Sequence, residues 1–249
     1  MSLQVPVKSP YAPARPVRKA KPKTPPPLNA GDFLTRREFE RRYLAHPEIK
    51  KAELLEGVVY MPSPVHFKKH GLPNSDIISW LGVYRAATPG VLSGDNSTVR
   101  LDFENEVQPD ALLRLKSALG GKSRVSRDDY LEGPPELVVE IAASSAAYDM
   151  GVKRRVYARS GVQEYLAAQM YEKRLDWFVL REGVYHTLLP DEQDVLKSEV
   201  FPGLWLNAEA FWTGNLAAML ETLQQGLASA AHQAFVENLK QEEQRNGEA

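Results

Sequence analysis

The sequence predicts an α/β domain built on a mixed β-sheet, and three observations carry this prediction. The 249 residues suffice for one large domain or two small ones, and their 43% hydrophobic content is ordinary for a globular protein. Segments with helical and strand periodicity follow one another in the order helix, hairpin, helix, strands, helix, strands. Residues 136–142 are apolar almost throughout, as expected of a strand covered on both faces.

The composition excludes several classes of site. The chain has no cysteine, which excludes disulfides, thiolate zinc sites and cysteine nucleophiles. No apolar run approaches the roughly 18 residues that a membrane span needs, and the N-terminal residues lack the apolar segment of a secretory signal. We therefore expect a cytoplasmic protein with no membrane partner.

Residues 1–30 are rich in proline and lysine and are predicted to form a disordered tail. Up to Leu28 this segment carries six basic residues and no acid, so the rest of the chain has a net charge of −7 within a total of −1. The tail is either a solvated leader or a nonspecific tether for DNA phosphates. The negative charge of the chain after the tail argues mildly against broad nucleic-acid binding, because affinity for nucleic acid comes largely from phosphate neutralisation.

A folded domain is predicted over residues 31–213, beginning with a helix and a hairpin. Thr35 and Glu38 have the spacing of a capping box, which predicts a helix as far as about Leu44. Residues 52–61 predict a β-hairpin that turns at Glu56-Gly57. Residues 74–86 then carry apolar side chains at helical spacing.

The second half of the domain alternates between strands and one helix, and a separate helical segment is predicted over residues 214–249. Gly161 marks the end of the helix in the middle of the domain. Leu216 to about Lys240 reads as one long amphipathic helix, followed by a frayed end. The remaining predicted elements are strands at 99–103, 108–115, 136–142, 163–168 and 175–180, a helix at about 148–158, and a short hairpin after 184–188.

Two acids, Asp110 and Glu140, interrupt the apolar runs of neighbouring predicted strands. A buried carboxylate costs several kcal/mol unless it is paired or bound to a cation. Hard cations such as Mg²⁺ bind one or two carboxylates together with water and phosphate, and the backbone carbonyl of Ile141 could add a third oxygen. The simpler interpretation is that both acids lie at strand ends and face water.

Lys153 favours the metal site over that simpler interpretation. Asp149, Lys153 and Tyr157 have i, i+4, i+8 spacing and so share one face of the predicted helix. That helix follows the Glu140 strand after a short loop, so its lysine can reach the strand end, orient an attacking water and stabilise a phosphate. The alternative is an ordinary exposed Asp149–Lys153 pair, worth about 0.3–0.5 kcal/mol.

A series of local signatures extends from about Asp32 to Phe211, and their combination and order carry more information than any one of them. Together they resemble the Uma family of bacterial restriction endonucleases, within the PD-(D/E)xK nuclease superfamily. The signatures are Glu53-Leu54-Leu55-Glu56-Gly57, Met61-Pro62-Ser63-Pro64-Val65-His66, Val107-Gln108-Pro109-Asp110, residues 133–141, the 149–165 segment containing Asp149, Lys153 and Tyr157, and Phe201-Pro202-Gly203-Leu204.

The resemblance implies a restriction-endonuclease-like fold, with a mixed β-sheet core flanked by helices and a C-terminal helix. It also implies a metal-dependent endonuclease that hydrolyses DNA phosphodiester bonds with Mg²⁺ or Mn²⁺. Asp110 and Glu140 would be the metal ligands, and Glu53 an accessory acid that orients water. The superfamily lysine is expected two residues after Glu140, where this chain has Ala142; the family resembled here places it on the next helix, as Lys153.

Other interpretations of the same residues stay open. A catalytically silent module that binds nucleic acid or protein could use the same fold, and a phosphodiesterase for small nucleotides would suit an acidic surface. His66 could contact a phosphate or serve only in packing. A homodimer is an option because cutting both strands requires two sites or two visits; the apolar face of 216–239 is a candidate dimer surface, although packing on its own domain is favoured.

Overall fold

The structure, a computed structural model, describes residues 24–62 and 64–247. Most of the predicted tail is residues 1–23, which lie outside the described residues. Leu28 belongs to the segment predicted as tail, yet it is only 4% exposed and packs with Phe39 and Leu54. The packed part of the chain therefore includes residues before 31. In the described ranges, each helix is too short or too polar to cross a bilayer.

The described chain combines helices, two π-helical turns and short strands. The π-helical turns are Phe67–Gly71 and Asp149–Lys153. The helices are α1 (Arg36–Ala45), α2 (Leu72–Ala87), α3 (Ala146–Tyr148), α4 (Arg154–Ser160), α5 (Ala208–Thr213), α6 (Leu216–Leu227) and α7 (Ala230–Gly247). The strands are β1 (Glu53–Leu55), β2 (Val58–Tyr60), β3 (Val91–Asp95), β4 (Val99–Arg100), β5 (Glu106–Val107), β6 (Ala111–Leu115), β7 (Arg124–Val125), β8 (Leu131–Glu132), β9 (Leu137–Ala142), β10 (Glu164–Gln169), β11 (Arg174–Arg181), β12 (Val184–Leu188), β13 (Val195–Lys197) and β14 (Trp205–Asn207).

The strands form two six-stranded sheets and one small hairpin, which confirms the predicted α/β class with a mixed sheet. The central sheet has the order β12-β11-β10-β9-β6-β3. Its β9 and β10 are parallel and its other neighbours antiparallel. The parallel pair is joined by α3, the second π-helical turn and α4, because parallel strands need a long crossover. The second sheet has the order β2-β1-β5-β4-β8-β7, and β13 pairs with β14.

Strand β9 separates two hydrophobic cores, and its alternation decides which side each residue faces. Leu137, Val139 and Ile141 belong to the core shared with α2 and α6. Val138 belongs to the other core, which includes Val156 and Tyr157 of α4. Because strand side chains alternate between faces, Glu140 lies on the same side as Val138, beneath α4.

The predicted strand 108–115 is wrong as a single element. The chain leaves the second sheet at Val107 and enters the central sheet only at Ala111. Pro109 has no N–H for a sheet ladder and restricts the backbone of the residue before it, which ends β5. Asp110 therefore lies at the corner where the chain passes from one sheet to the other.

The single long C-terminal helix predicted from Leu216 is also wrong, since α6 ends at Leu227 and α7 begins at Ala230. Ser229 starts a new helix because its hydroxyl accepts a hydrogen bond from the His232 N–H at 3.3 Å. The apolar side of this segment packs on its own domain, as favoured from the sequence: Met219, Leu223 and Leu239 lie in the core.

Local signals near the N-terminus placed the first elements correctly. Thr35 caps α1 by accepting a hydrogen bond from the Glu38 N–H at 3.4 Å. The hairpin of β1 and β2 turns through Glu56 and Gly57, both with positive φ (51° and 76°), as a tight hairpin turn requires. The strand predicted at 99–103 is shorter, because only Val99–Arg100 pairs.

A buried arginine ties the second sheet to α1. The Arg100 guanidinium lies 2.8 Å from Glu40 of α1, 2.9 Å from Asp128 and 3.7 Å from Glu106. Burial raises the pKa of Glu106 to about 8, with the nearby Glu40 adding to the effect against the attraction of Arg100. This cluster holds the sheet that carries Glu53.

Substituting Gly226 should destabilise the fold, because its backbone packs directly on the turn before β14. A Cβ there would lie 2.2 Å from the Gly203 carbonyl oxygen and 2.8 Å from Trp205. We expect Gly226→Ala to lower the free energy of unfolding by about 1–3 kcal/mol, measured by urea denaturation. Gly82→Ala in α2 is the matched control, since a Cβ there meets nothing within 4 Å and should stabilise by about 0.5–1 kcal/mol. Equal effects would contradict the close contact.

The shifted Glu106 carboxyl predicts a pH dependence of stability. Its pKa is raised from 4.5 to about 8, so the folded state keeps a proton that the unfolded state releases. This contribution is complete below pH 4.5 and is lost as the pH rises towards 8. We expect the free energy of unfolding of Glu106→Gln to fall less steeply over this range than that of the wild type. Parallel curves from urea denaturation would contradict the prediction.

Candidate active site

Four buried carboxylates meet where the two sheets join. We call Glu53, Asp110, Glu140 and Asp149 the carboxylate cluster; they are 5%, 4%, 2% and 1% exposed. Glu53 comes from β1, Asp110 from the corner before β6, Glu140 from β9 and Asp149 from the second π-helical turn. The structure thus brings together the four side chains singled out from the sequence, Glu53, Asp110, Glu140 and Lys153, and adds Asp149.

Asp110, directly before β6, lies opposite Glu140 of the adjacent strand β9. Ala111 pairs with Val139, which places the preceding Asp110 opposite Glu140. The Ile141 N–H donates a hydrogen bond of 2.8 Å to Asp110 Oδ2. The carbonyl of Ile141, predicted as a metal ligand, accepts a bond of 3.1 Å from the Ala143 N–H. The Ile141 N–H thus contacts Asp110, and the Ile141 carbonyl, which has two lone pairs, keeps one for a further ligand.

Two basic residues that the sequence did not single out contact Asp110. His70 Nε2 lies 3.1 Å from Asp110 Oδ2, and Lys51 Nζ lies 3.6 Å from Oδ1. Burial by itself would raise the pKa of Asp110, but the hydrogen bond from His70 and the charges of Lys51 and Lys153 hold it below its ordinary value. Asp110 is therefore kept ionised.

Glu140 is held by two donors from the helix above it. Lys153 Nζ and the Tyr157 hydroxyl donate to Glu140 Oε1 at 2.9 and 2.7 Å. Burial raises the pKa of Glu140 to about 8, and the neighbouring acids add to this against the attraction of Lys153. At Glu140, burial together with the neighbouring acids therefore outweighs the attraction of the single lysine.

Lys153 is the centre of the carboxylate cluster. Its Nζ lies 2.9 Å from Glu140, 3.0 Å from Glu53 and 3.5 Å from Asp149, and the residue is 6% exposed. Desolvation lowers the pKa of this lysine, but the combined attraction of the acids raises it well above its ordinary value. The alternative of an exposed Asp149–Lys153 pair is wrong, because both residues are buried.

Glu53 links the second sheet to the lysine. Its Oε1 accepts a hydrogen bond of 2.7 Å from the Gln108 N–H, and its Oε2 lies 3.0 Å from Lys153 Nζ. Gln108 is the residue before Pro109, so the same corner positions both Asp110 and Glu53. Glu53 is thus buried and held on both of its oxygens.

The helix segment that carries Asp149 and Lys153 is a π-helical turn flanked by α-helix, which differs from the regular helix predicted. The Arg154 N–H donates to the Asp149 carbonyl, the i+5 pattern of a π-helix. Such turns are rare in proteins as a whole, but many of those that occur lie at functional sites. The extra residue in the turn changes the direction of the side chains. His70 lies on the other π-helical turn, Phe67–Gly71. His66, named from the sequence, is exposed just before it.

Asp149 is the member of the carboxylate cluster that the sequence predicts only as a partner of Lys153. Within the described part of the chain, neither of its carboxylate oxygens has a hydrogen-bond partner, although both are buried. Burial raises the pKa of Asp149. Its i, i+4 spacing from Lys153 was the available signal, and what the sequence did not reveal was that both residues are buried.

The donor set fits a hard divalent cation, which the resemblance implies. The cluster supplies only carboxylate oxygens, the ligands that Mg²⁺ prefers, and its acids outnumber the one lysine at its centre. The two buried oxygens of Asp149 have no hydrogen-bond partner, and the Lys153 amine 3.5 Å from Oδ1 is shared with Glu53 and Glu140, so a further positive charge would be favourable there. In the ranges 24–62 and 64–247, no three acidic or histidine side chains are already arranged as a metal-holding group.

Comparisons with known proteins bear on the family and the fold of this chain. The sequence model of the Uma2 family, described as putative restriction endonuclease, matches residues 36–209. That range contains the whole carboxylate cluster and Lys153. None of the curated proteins matches the chain.

A solved structure supports the fold. A protein from Anabaena variabilis ATCC 29413, described as a putative nuclease belonging to DUF820, superposes with a TM-score of 0.51 at 12% sequence identity. The match covers 66% of this chain and 90% of that protein. At this identity the likeness concerns the fold, and it confirms the restriction-endonuclease-like architecture expected from the resemblance.

Two substitutions in the cluster should change stability in opposite directions. Asp149→Asn removes a buried charge without a hydrogen-bond partner, so we expect the free energy of unfolding in EDTA to rise by about 1 kcal/mol. Lys153→Met leaves the acids without their central cation and should cost about 3–5 kcal/mol. Urea denaturation measures both.

The matched controls for these variants are Asp129→Asn and Lys240→Met, which change exposed residues of the same types. Both should shift the free energy of unfolding by less than about 0.5 kcal/mol. Destabilisation by Asp149→Asn comparable to that of Lys153→Met would show that the Asp149 charge is well compensated, contrary to the unpartnered geometry.

Proposed function

This chain belongs to the Uma2 family, and we propose that it is a metal-dependent endonuclease that hydrolyses DNA phosphodiester bonds. The observation that carries the proposal is the buried carboxylate cluster around Lys153 at the junction of the two sheets. A buried excess of acids is unfavourable in a purely structural core. It is useful where a cation and a phosphate are bound during the reaction.

Asp110 and Glu140 would hold the ion, Mg²⁺ or Mn²⁺, with the Ile141 carbonyl and Asp149 as further oxygens. When bound, such an ion lowers the pKa of a water molecule and offsets charge on the phosphate. His70 and the Ile141 N–H fix the orientation of Asp110. The Tyr157 hydroxyl does the same for Glu140.

The chain's own residues would supply the remaining chemistry. Hydrolysis forms a bond from a water oxygen to phosphorus and breaks the bond to one ester oxygen, which leaves with a proton. Lys153 carries a fixed positive charge close to this reaction and would stabilise the charge that develops on the phosphate. Glu53 lies 3.0 Å from the Lys153 amine and would orient the attacking water with it. Lys51, with 28% of its side chain exposed, would meet the incoming phosphate.

The proposal explains where the lysine of this nuclease superfamily is. Ala142 occupies the position two residues after Glu140, and Lys153 reaches the Glu140 carboxylate from the following helix at 2.9 Å. A lysine on a different element serves the same reaction if its amine occupies the same region of space. The alternative, a catalytically silent binding module, would have no use for the metal.

Cleavage of supercoiled plasmid and of a short single strand tests the proposal. We expect wild-type activity that requires Mg²⁺ or Mn²⁺ and is abolished by EDTA. Asp110→Asn removes a ligand charge and Lys153→Met removes the fixed cation, so each should lower the rate by about 100-fold or more. Circular dichroism would verify that both variants are folded at the assay temperature.

Asp129→Asn and Lys240→Met are the controls and should cleave as the wild type does. Full activity in Lys153→Met would move the catalytic cation to another residue. A wild-type protein that neither cleaves DNA nor binds Mg²⁺ or Mn²⁺ by calorimetry would overturn the proposal and leave the silent module.

A further inference from the structure

Two exposed aromatic side chains and two lysines lie beside the carboxylate cluster. We call Phe67, Lys68, Lys69 and Tyr148 the aromatic rim. Phe67 is 72% exposed and Tyr148 is 49% exposed. Scattered exposed aromatic residues are normal on a protein surface, so the position of these residues relative to the site decides whether they matter.

Tyr148 stands at the edge of the cluster on the side of Asp149 and Glu53. It directly precedes Asp149 in the chain, and its ring packs edge-to-face on Tyr60, with 4.8 Å between centroids and 75° between planes. Tyr60 pairs directly with Glu53 across the β1–β2 hairpin. The Tyr148 ring is therefore exposed, and Tyr60 fixes its position. It lies close to Asp149 and Glu53, two members of the carboxylate cluster.

Phe67 and the lysines stand at the edge on the side of Asp110. They belong to the same π-helical turn as His70, which contacts Asp110 at 3.1 Å. Lys69 Nζ lies 5.3 Å from the centroid of the Tyr171 ring. Tyr171 follows the end of β10, where the Met170 N–H bonds to the Ala142 carbonyl. The turn thus lies over the strand ends next to Glu140.

The segment around Phe67 differs in charge from the rest of the folded chain. Between Met61 and Ser75 the sequence contains Lys68 and Lys69 and no acid, whereas the chain after Leu28 has a net charge of −7. A local positive segment on an acidic protein attracts a polyanion to that place and repels it elsewhere. Exposed aromatic rings next to lysines are the side chains that stack on bases while neutralising phosphates.

We propose that the aromatic rim binds an unpaired stretch of nucleic acid, with bases stacked on Phe67 and Tyr148 and phosphates beside Lys68 and Lys69. This inference rests on the proposed nuclease function, because it delivers the strand to the same carboxylate cluster. In a duplex the faces of the bases are covered by their neighbours, and only the lysines would have a partner. Exposed rings at the site therefore select single-stranded substrate.

Binding without cleavage tests the rim directly. Fluorescence anisotropy in EDTA would compare three ligands: a short oligothymidylate, an abasic strand of equal length and a duplex. We expect the wild type to prefer the oligothymidylate. Phe67→Leu and Tyr148→Leu keep an apolar side chain and remove the aromatic face, so each should weaken that binding about tenfold. Neither should change binding of the abasic strand, because it has no bases to stack.

Two further variants complete the design. Phe103→Leu is the matched control, since Phe103 is 84% exposed on the turn between β4 and β5, and it should bind all three ligands as the wild type does. The double substitution Lys68→Ala with Lys69→Ala should weaken binding of every ligand and reduce its salt dependence.

The proposal is overturned if the wild type binds the abasic strand as tightly as oligothymidylate, or if Phe67→Leu and Tyr148→Leu leave oligothymidylate binding unchanged. Its failure is separable from failure of the nuclease proposal. Metal-dependent cleavage combined with base-independent binding would overturn the aromatic rim alone. Base-dependent binding in a protein that never cleaves would overturn the nuclease and support the rim.

Discussion

The charge balance around Lys153 is the constraint on which the rest of the site depends. One buried ammonium group lies within 3.5 Å of three carboxylates that come from β1, β9 and a π-helical turn. Because a buried charge is tolerated only with partners, these three elements must be packed together for the lysine to be buried. The same contacts leave an excess of negative charge, so the feature that joins the two sheets also prepares a place for a cation.

Irregular backbone positions most of the site. Pro109 ends one sheet and places Asp110 at the corner before the next, while the two π-helical turns carry His70 and the Asp149–Lys153 pair. Regular strands and helices fix side chains at periods of 2 and 3.6 residues. A site that collects acids from several elements needs departures from those periods, and here each departure lies next to the carboxylate cluster.

Electrostatics separate the site from the rest of the surface. The body of the chain is acidic, yet Lys51, Lys68 and Lys69 lie where Asp110 meets the π-helical turn. An acidic surface weakens nonspecific attraction to phosphates, so these three lysines would be an important attraction for a phosphate close to the site. Such a distribution suits an enzyme that binds a nucleic-acid strand at its active site and does not bind along the length of the strand.

The sequence by itself determined the local elements and three partners in the site. The Thr35 cap, the Glu56-Gly57 turn and the alternation of β9 are encoded within a few residues. The sequence also singles out Asp110, Glu140 and Lys153, although Asp110 lies at a corner and Lys153 on a π-helical turn. Only the tertiary structure decided that His70 contacts Asp110, that Asp149 is buried without a hydrogen-bond partner, and that the C-terminal segment breaks at Ser229. These features depend on packing between segments far apart in the chain, which no local periodicity records.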